Sequence, residues 1–172
     1  FQEQKDIYDG SWEKNGQVFT ESYVARPGFS EHQTGLAVDL GLRKAEIDFL
    51  CPEFPYEGIC QKLREAAPCF GFVERYPAGK EAITGVAHEP WHFRYVGRPH
   101  AQIMVQRGLV LEEYHQLLKH YPWGCGPGLH AETGEELFYV ACDGENGVEI
   151  ALREGTHVQI SGNNADGYIV VL

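Results

Sequence analysis

Asp39 sits where an ordinary protein core would refuse it. Leu36, Val38 and Leu40 alternate with Ala37 and Asp39 in a run that ends at Leu42, the period of a short β-strand. An acid buried there without a partner costs several kcal/mol, and a metal ion or a cation beside it removes that penalty. The segment just upstream, Ser30-Glu31-His32-Gln33-Thr34-Gly35, is rich in polar groups. A second segment, His88-Glu89-Pro90-Trp91-His92-Phe93-Arg94-Tyr95-Val96-Gly97, again sets ionisable side chains among large apolar ones.

A hydrolytic zinc site needs three protein ligands, an open position for water and a nearby carboxylate. His32, Asp39 and His92 offer two imidazoles and a carboxylate, and Glu89 offers the base. Zinc lowers the pKa of a bound water to roughly 7, within reach of proton transfer to a glutamate. Taken one at a time, these residues have plainer readings. A single histidine is more often a surface or core residue than a ligand, and an aspartate at position 39 serves equally to cap a turn.

His88-Glu89-Pro90-Trp91-His92 also satisfies HExxH, a motif that requires one continuous helix to present both histidines on one face. Pro90 stands inside it, and a proline within a helix costs about 3 kcal/mol. The flanks Gly85-Val86-Ala87 and Phe93-Arg94-Tyr95-Val96 favour strand, so His88 is read as a neighbour rather than a ligand. Trp91, Phe93 and Tyr95 read as packing residues. Arg94 reads either as the partner of a carboxylate behind the site or as one half of a surface ion pair. Arg26, ahead of Pro27-Gly28 and close in sequence to the histidine-bearing loop, reads either as a substrate contact or, the preferred reading, as a solvated turn residue. His100, His115, His120, His130 and His157 read as surface histidines.

The two segments together resemble a known family. Ser30–Asp39 matches the SxHxxGxAxD signature of the D-Ala-D-Ala metallopeptidases, which include vancomycin-resistance carboxypeptidases and dipeptidases. Glu89–His92 with Arg94-Tyr95-Val96-Gly97 matches the ExxH element in its carboxypeptidase form, and GFVERYPAGK from Gly71 is similar to that branch too. The resemblance runs from Phe1 to about Gly108. It implies zinc held by His32, Asp39 and His92, Glu89 as general base, and Ser30 near the substrate. It also implies that Gln4 closes a YRSxxxQ element on the substrate side, whose arginine is expected just upstream of Phe1. The implied substrates are peptidoglycan stem peptides ending in D-Ala-D-Ala, or the free dipeptide, and the implied setting is the bacterial cell envelope or outside the cell, with the cytoplasm as alternative.

The rest of the chain sets the frame. Its formal charge of −11 argues against nucleic acid or an anionic membrane surface as partner. Five cysteines form no CxxC pair, which excludes a structural zinc knuckle. The pattern predicts an α+β fold, with a small antiparallel sheet carrying the zinc site and helices flanking it. Expected elements are a helix over residues 1–9 broken at Asp9-Gly10, and a helix from Tyr56 to Ala67 burying Ile59, Cys60, Leu63 and Ala67. Strands are expected over Gly71–Tyr76 and Gly85–Val96, with further helices from Pro99 to about Gln106 and from Leu111 to His120. Gly124–Gly128 reads as a linker between a catalytic domain at 1–123, whose N-terminal part is expected to be missing, and a β extension at 129–172, read as a cover over exposed core in preference to a wall-binding or dimer surface. Four β-like runs are expected there: Leu137–Ala141, Val148–Leu152, His157–Ile160 and Tyr168–Leu172, with turns at Glu145-Asn146-Gly147 and Asn163–Gly167.

Overall fold

A computed structural model of the chain describes residues 1–142 and 147–172. It contains two compact units, Phe1–Ala101 and Gln102–Leu172. The fold is α+β, as the pattern predicts. Among the described residues no helix is long and apolar enough to cross a membrane.

The first unit opens with α1 (Gln2–Asn15) and α2 (Gln17–Tyr23). Contrary to expectation, α1 does not stop at Asp9-Gly10. A helix-interior glycine costs only about 1 kcal/mol relative to alanine, and the rings of Tyr8 and Trp12, one turn apart at 6.0 Å, span it. The break falls at Gly16, whose φ of 82° lies in the left-handed region that only glycine enters cheaply. Buried hydroxyls of Ser11 and Thr20, 2.8 Å apart, then pin the two helices together.

A three-stranded antiparallel sheet follows in the order β1 (Ala37–Asp39), β3 (Glu89–Tyr95), β2 (Phe72–Tyr76). Phe93 and Trp91 of β3 face a core shared with Phe54, Cys60 and Ala67. Alternation along the strand therefore turns His92 and Arg94 to the opposite side. Pro90 is tolerated in this central strand because β1 pairs only with residues 92–94, and the register against β2 shifts between Glu74 and Tyr76.

The helix α3 (Gly58–Ala66) corrects one expectation about its buried face. Cys60 and Ala67 are buried, but Ile59 and Leu63 are 70% and 40% exposed. The inward stripe is instead completed by Arg64, four residues after Cys60. Its guanidinium lies 3.8 Å over the Tyr56 ring, and its Nε donates to Glu74 at 2.6 Å. Hydropathy assigns an arginine to solvent, so a pattern of apolar residues picks the wrong face. The one-turn helix α4 (Glu81–Thr84) and α5 (Arg98–Arg107) complete the helices that begin in this unit.

In the second unit, α6 (Leu111–Leu118) buries Tyr114 and Leu118. A four-stranded antiparallel sheet runs in the order β4 (Leu129–His130), β5 (Glu136–Ala141), β7 (Gly167–Val171), β6 (Gln159–Gly162). Leu137, Phe138, Val140 and Val170 fill its core. The expected strand at Val148–Leu152 does not form. Both sides of β5 are already occupied, by β4 and β7, and Val148 and Leu152 stay exposed. Of the expected turn at Glu145-Asn146-Gly147, residues 145 and 146 lie outside the described residues. The turn before β7 is present, with Asn163 Oδ1 accepting the N–H groups of Ala165, Asp166 and Gly167 at 3.0 Å each. The Gly124–Gly128 stretch falls inside this unit.

Candidate metal centre and its cleft

Local backbone chemistry brings the first two donors together. Pro27 and Gly28 turn the chain, with Gly28 at φ 93° and Phe29 N–H bonded to Arg26 O at 2.9 Å. A one-turn 3-10 helix, Glu31–Thr34, follows, and Gly35 ends it at φ 72°. Thr34 Oγ1 then accepts the Leu36 N–H at 3.1 Å, which launches β1. His32 thus sits on the turn and Asp39 at the end of the strand. The ladder supplies the third donor, since Asp39 is paired directly with His92.

His32, Asp39 and His92 each offer a ligand atom within 4.8 Å of the others. His92 Nδ1 is 2.9 Å from Asp39 Oδ1, and His32 Nε2 is 3.4 Å from Asp39 Oδ2. The imidazole rings meet edge to face at 4.9 Å. Atoms bonded to one tetrahedral zinc at about 2 Å lie about 3–4 Å apart, so the spacing and the nitrogen–oxygen donor set fit such an ion. His32 and Asp39 are open to the cleft while His92 is 4% exposed, a rigid wall with an accessible side.

Glu89 lies beside the donors, 5% exposed, with Oε2 3.8 Å from His92 Nδ1. Burial pushes its carboxyl up to about 8; the His92 charge opposes this, and the negative charges of Asp39 and Glu31 reinforce it. Asp39 behaves oppositely. Burial works against its charge, yet hydrogen bonds from His32 and His92 bring it down to about 2. Two carboxylates within 4 Å of one imidazole are thereby driven apart, one held ionised and the other favouring its proton.

A cleft of about 530 Å³ opens over this group, and Gln4, Ser30, His32, Asp39, Glu89 and His92 all line it. Ser30 is 8% exposed. The Gln4 amide also braces the cleft wall, donating to Ala25 O at 2.6 Å. Arg26 is not among the lining residues and pairs with Glu21 at 3.3 Å on the surface. His88 points elsewhere, 2.7 Å from the Tyr56 hydroxyl and 3.7 Å from Glu74, and takes no part in the donor group. Trp91 and Phe93 are core residues, whereas Tyr95 is 42% exposed and packs on Phe72. His100, expected on the surface, is buried at 7%.

The sequence reading missed Glu31 and Arg75. Arg75 Nε donates to Glu31 Oε1 at 2.9 Å, and Arg94 Nη1 lies 3.2 Å from Glu31 Oε2. Arg94 is therefore a buried partner of a carboxylate and not a surface pair. The one sequence signal for the second arginine is its place two residues after Val73, on the same face of β2.

Comparison with known proteins gives the same picture. The structure of the vancomycin resistance D,D-dipeptidase VanXYg, solved with a D-Ala-D-Ala phosphinate analog, superposes with a TM-score of 0.92 at 51% identity, over 99% of this chain and 68% of that one. The fold is thus that of the D,D-peptidases of vancomycin resistance. The family model described as "VanY: D-alanyl-D-alanine carboxypeptidase" matches residues 1–98, and the chain belongs to that family. It is 45% identical over 117 residues to the bifunctional D-Ala-D-Ala dipeptidase and carboxypeptidase VanXYC of Enterococcus gallinarum, covering 67% of this chain and 62% of that protein. It is 34% identical along its whole length to a D-alanyl-D-alanine carboxypeptidase of Enterococcus faecium, of which it covers 50%. The chain thus spans less than two thirds of either relative. A point mutant of the vancomycin resistance D,D-pentapeptidase VanY, solved in complex with Zn(II), is 37% identical with a TM-score of 0.51, over 65% of this chain and 64% of that one.

Proposed function

We propose that this chain is a zinc-dependent D,D-carboxypeptidase that hydrolyses the amide before the C-terminal D-alanine of peptidoglycan stem peptides ending in D-Ala-D-Ala. The observation that carries the proposal is the buried Glu89 carboxyl beside three metal-type donors on the floor of an open cleft. A purely structural core has no use for such a group, whose burial is costly.

His32, Asp39 and His92 would hold the metal. When bound, zinc supplies a Lewis acid that polarises a carbonyl and acidifies water. Glu89 takes the proton of the attacking water on its carboxylate, the form that a cation held by the neighbouring donors would favour, and passes it to the leaving amine. Ser30 and Gln4, both on the cleft wall, orient the peptide. His92 and Asp39, paired across β1 and β3, keep the donors fixed while this happens.

A second reading has its own support. The names of VanXYC and VanXYg include dipeptidase activity, so free D-Ala-D-Ala is the alternative substrate. For stem peptides we propose the cell envelope as the working compartment, and for the free dipeptide the cytoplasm. The test is mass-spectrometric product analysis of the zinc-loaded protein with a D-Ala-D-Ala-terminated pentapeptide and, separately, free D-Ala-D-Ala. Faster loss of one D-alanine from the pentapeptide supports the carboxypeptidase, and faster cleavage of the dipeptide the alternative. Stoichiometric zinc without turnover of either would make the chain a binding module.

A further inference from the structure

Behind the donors, two buried arginines on neighbouring strands meet the half-buried Glu31. Its Oε1 accepts from Arg75 on β2, and its Oε2 lies 3.2 Å from Arg94 Nη1 on β3. The two arginine side chains are 8% and 10% exposed and Glu31 is 17% exposed. This same Oε2 also faces His92 Nε2 at 3.5 Å. Both atoms are buried, and at this separation neither makes a hydrogen bond among the described residues. The other ring nitrogen of His92, Nδ1, is the one turned to Asp39 and Glu89.

An imidazole that binds a metal through one nitrogen must carry its proton on the other. A carboxylate placed to accept that proton fixes the tautomer and the ring plane. We propose that Glu31 is a positioning residue: it accepts the Nε2 proton of His92 and so commits Nδ1 to the metal, while Arg75 and Arg94 hold its carboxylate in place. The inference rests on the metal-site reading above. The plainer account is that Glu31 only neutralises two buried arginines. The two accounts differ in what a glutamine at position 31 does. Glutamine keeps an oxygen that can accept from His92 but loses the charge that the arginines need.

Zinc affinity is measured by competition with a chelator for the wild-type protein, Glu31→Gln and Glu31→Ala, alongside melting curves of the metal-free forms. Glu31→Ala is expected to bind zinc ~10–100-fold more weakly. Glu31→Gln should stay close to wild type in affinity even where its metal-free melting temperature falls. Wild-type affinity in Glu31→Ala overturns the proposal, and so does equal weakening in both variants, which would assign the effect to the arginines. Should either variant fail to fold, nitrogen-15 NMR of the histidine side chains in the zinc-loaded wild type decides. A solvent-protected proton on His92 Nε2 supports the assignment, and a proton on Nδ1 overturns it. A wild-type chain that binds no zinc defeats the metal reading itself, whereas wild-type zinc binding unaffected by Glu31→Ala defeats only the role of Glu31.

Discussion

The first unit buries Arg75, Glu89, His92, Arg94 and His100, along with three hydroxyl side chains; among the described residues the second buries one polar side chain, Asn163. Asn163 is satisfied within its own turn, by three backbone N–H groups no more than four residues away. The site charges of the first unit find partners far along the chain: Arg75 reaches Glu31 across 44 residues and His92 reaches Asp39 across 53. A fold seldom buries charge for stability alone, because desolvation offsets most of the attraction. The contrast therefore separates a unit arranged for chemistry from one arranged for packing, and it can be broken by experiment.

The largest expected effect is on metal binding. His32→Ala removes one of three donors from an open site, so elemental analysis should show zinc falling from one per chain to near none, with hydrolysis lost alongside. Retention of stoichiometric zinc in that variant would remove His32 from the donor set. Glu89→Gln comes next. It should keep zinc and fold yet lose ~10²–10⁴-fold in turnover, the usual contribution of a general base. A folded, metallated Glu89→Gln protein with near-normal rates would reduce Glu89 to a structural carboxyl.

How much of this was legible in the sequence follows the same division. Two of the three candidate donors were legible from local spacing: a turn, a glycine at a positive φ and a short strand fix His32 against Asp39 within eight residues. Pro90 made the strand at His92 readable by excluding a helix. The support behind the donors was not readable, because Glu31 gains its meaning only from residues on two later strands. The inward face of α3 was misread for a related reason, as Arg64 is held inward by Glu74 and Tyr56 and not by hydropathy. In the second unit the turn at Asn163 was readable from its own residues. The absence of a strand at Val148–Leu152 was not, since it depends on β5 having both neighbours already.

The smallest expected effect sharpens the contrast from the packing side. Asp166, in the turn before β7, pairs with Lys119 and accepts from Asn163 Nδ2 at 3.0 Å and from the Tyr139 hydroxyl at 2.9 Å. Those contacts, Lys119 first, hold its carboxyl down to about 2, below its ordinary 3.8. A carboxylate with a depressed pKa in the folded state contributes stability that is present above its unfolded value and lost as pH falls through the folded one. Asp166→Asn should therefore lower the melting temperature at neutral pH, by a few degrees at most because the pair is exposed. The gap between wild type and variant should narrow below pH 4 and close near pH 2. Zinc content at neutral pH should not change, since every proposed donor lies in the other unit. A gap that persists unchanged to pH 2 would mean that the shape of the turn, and not its charge, is what Asp166 supplies. Loss of zinc from Asp166→Asn would be the more damaging result, because it would show that the packing unit governs the chemical one.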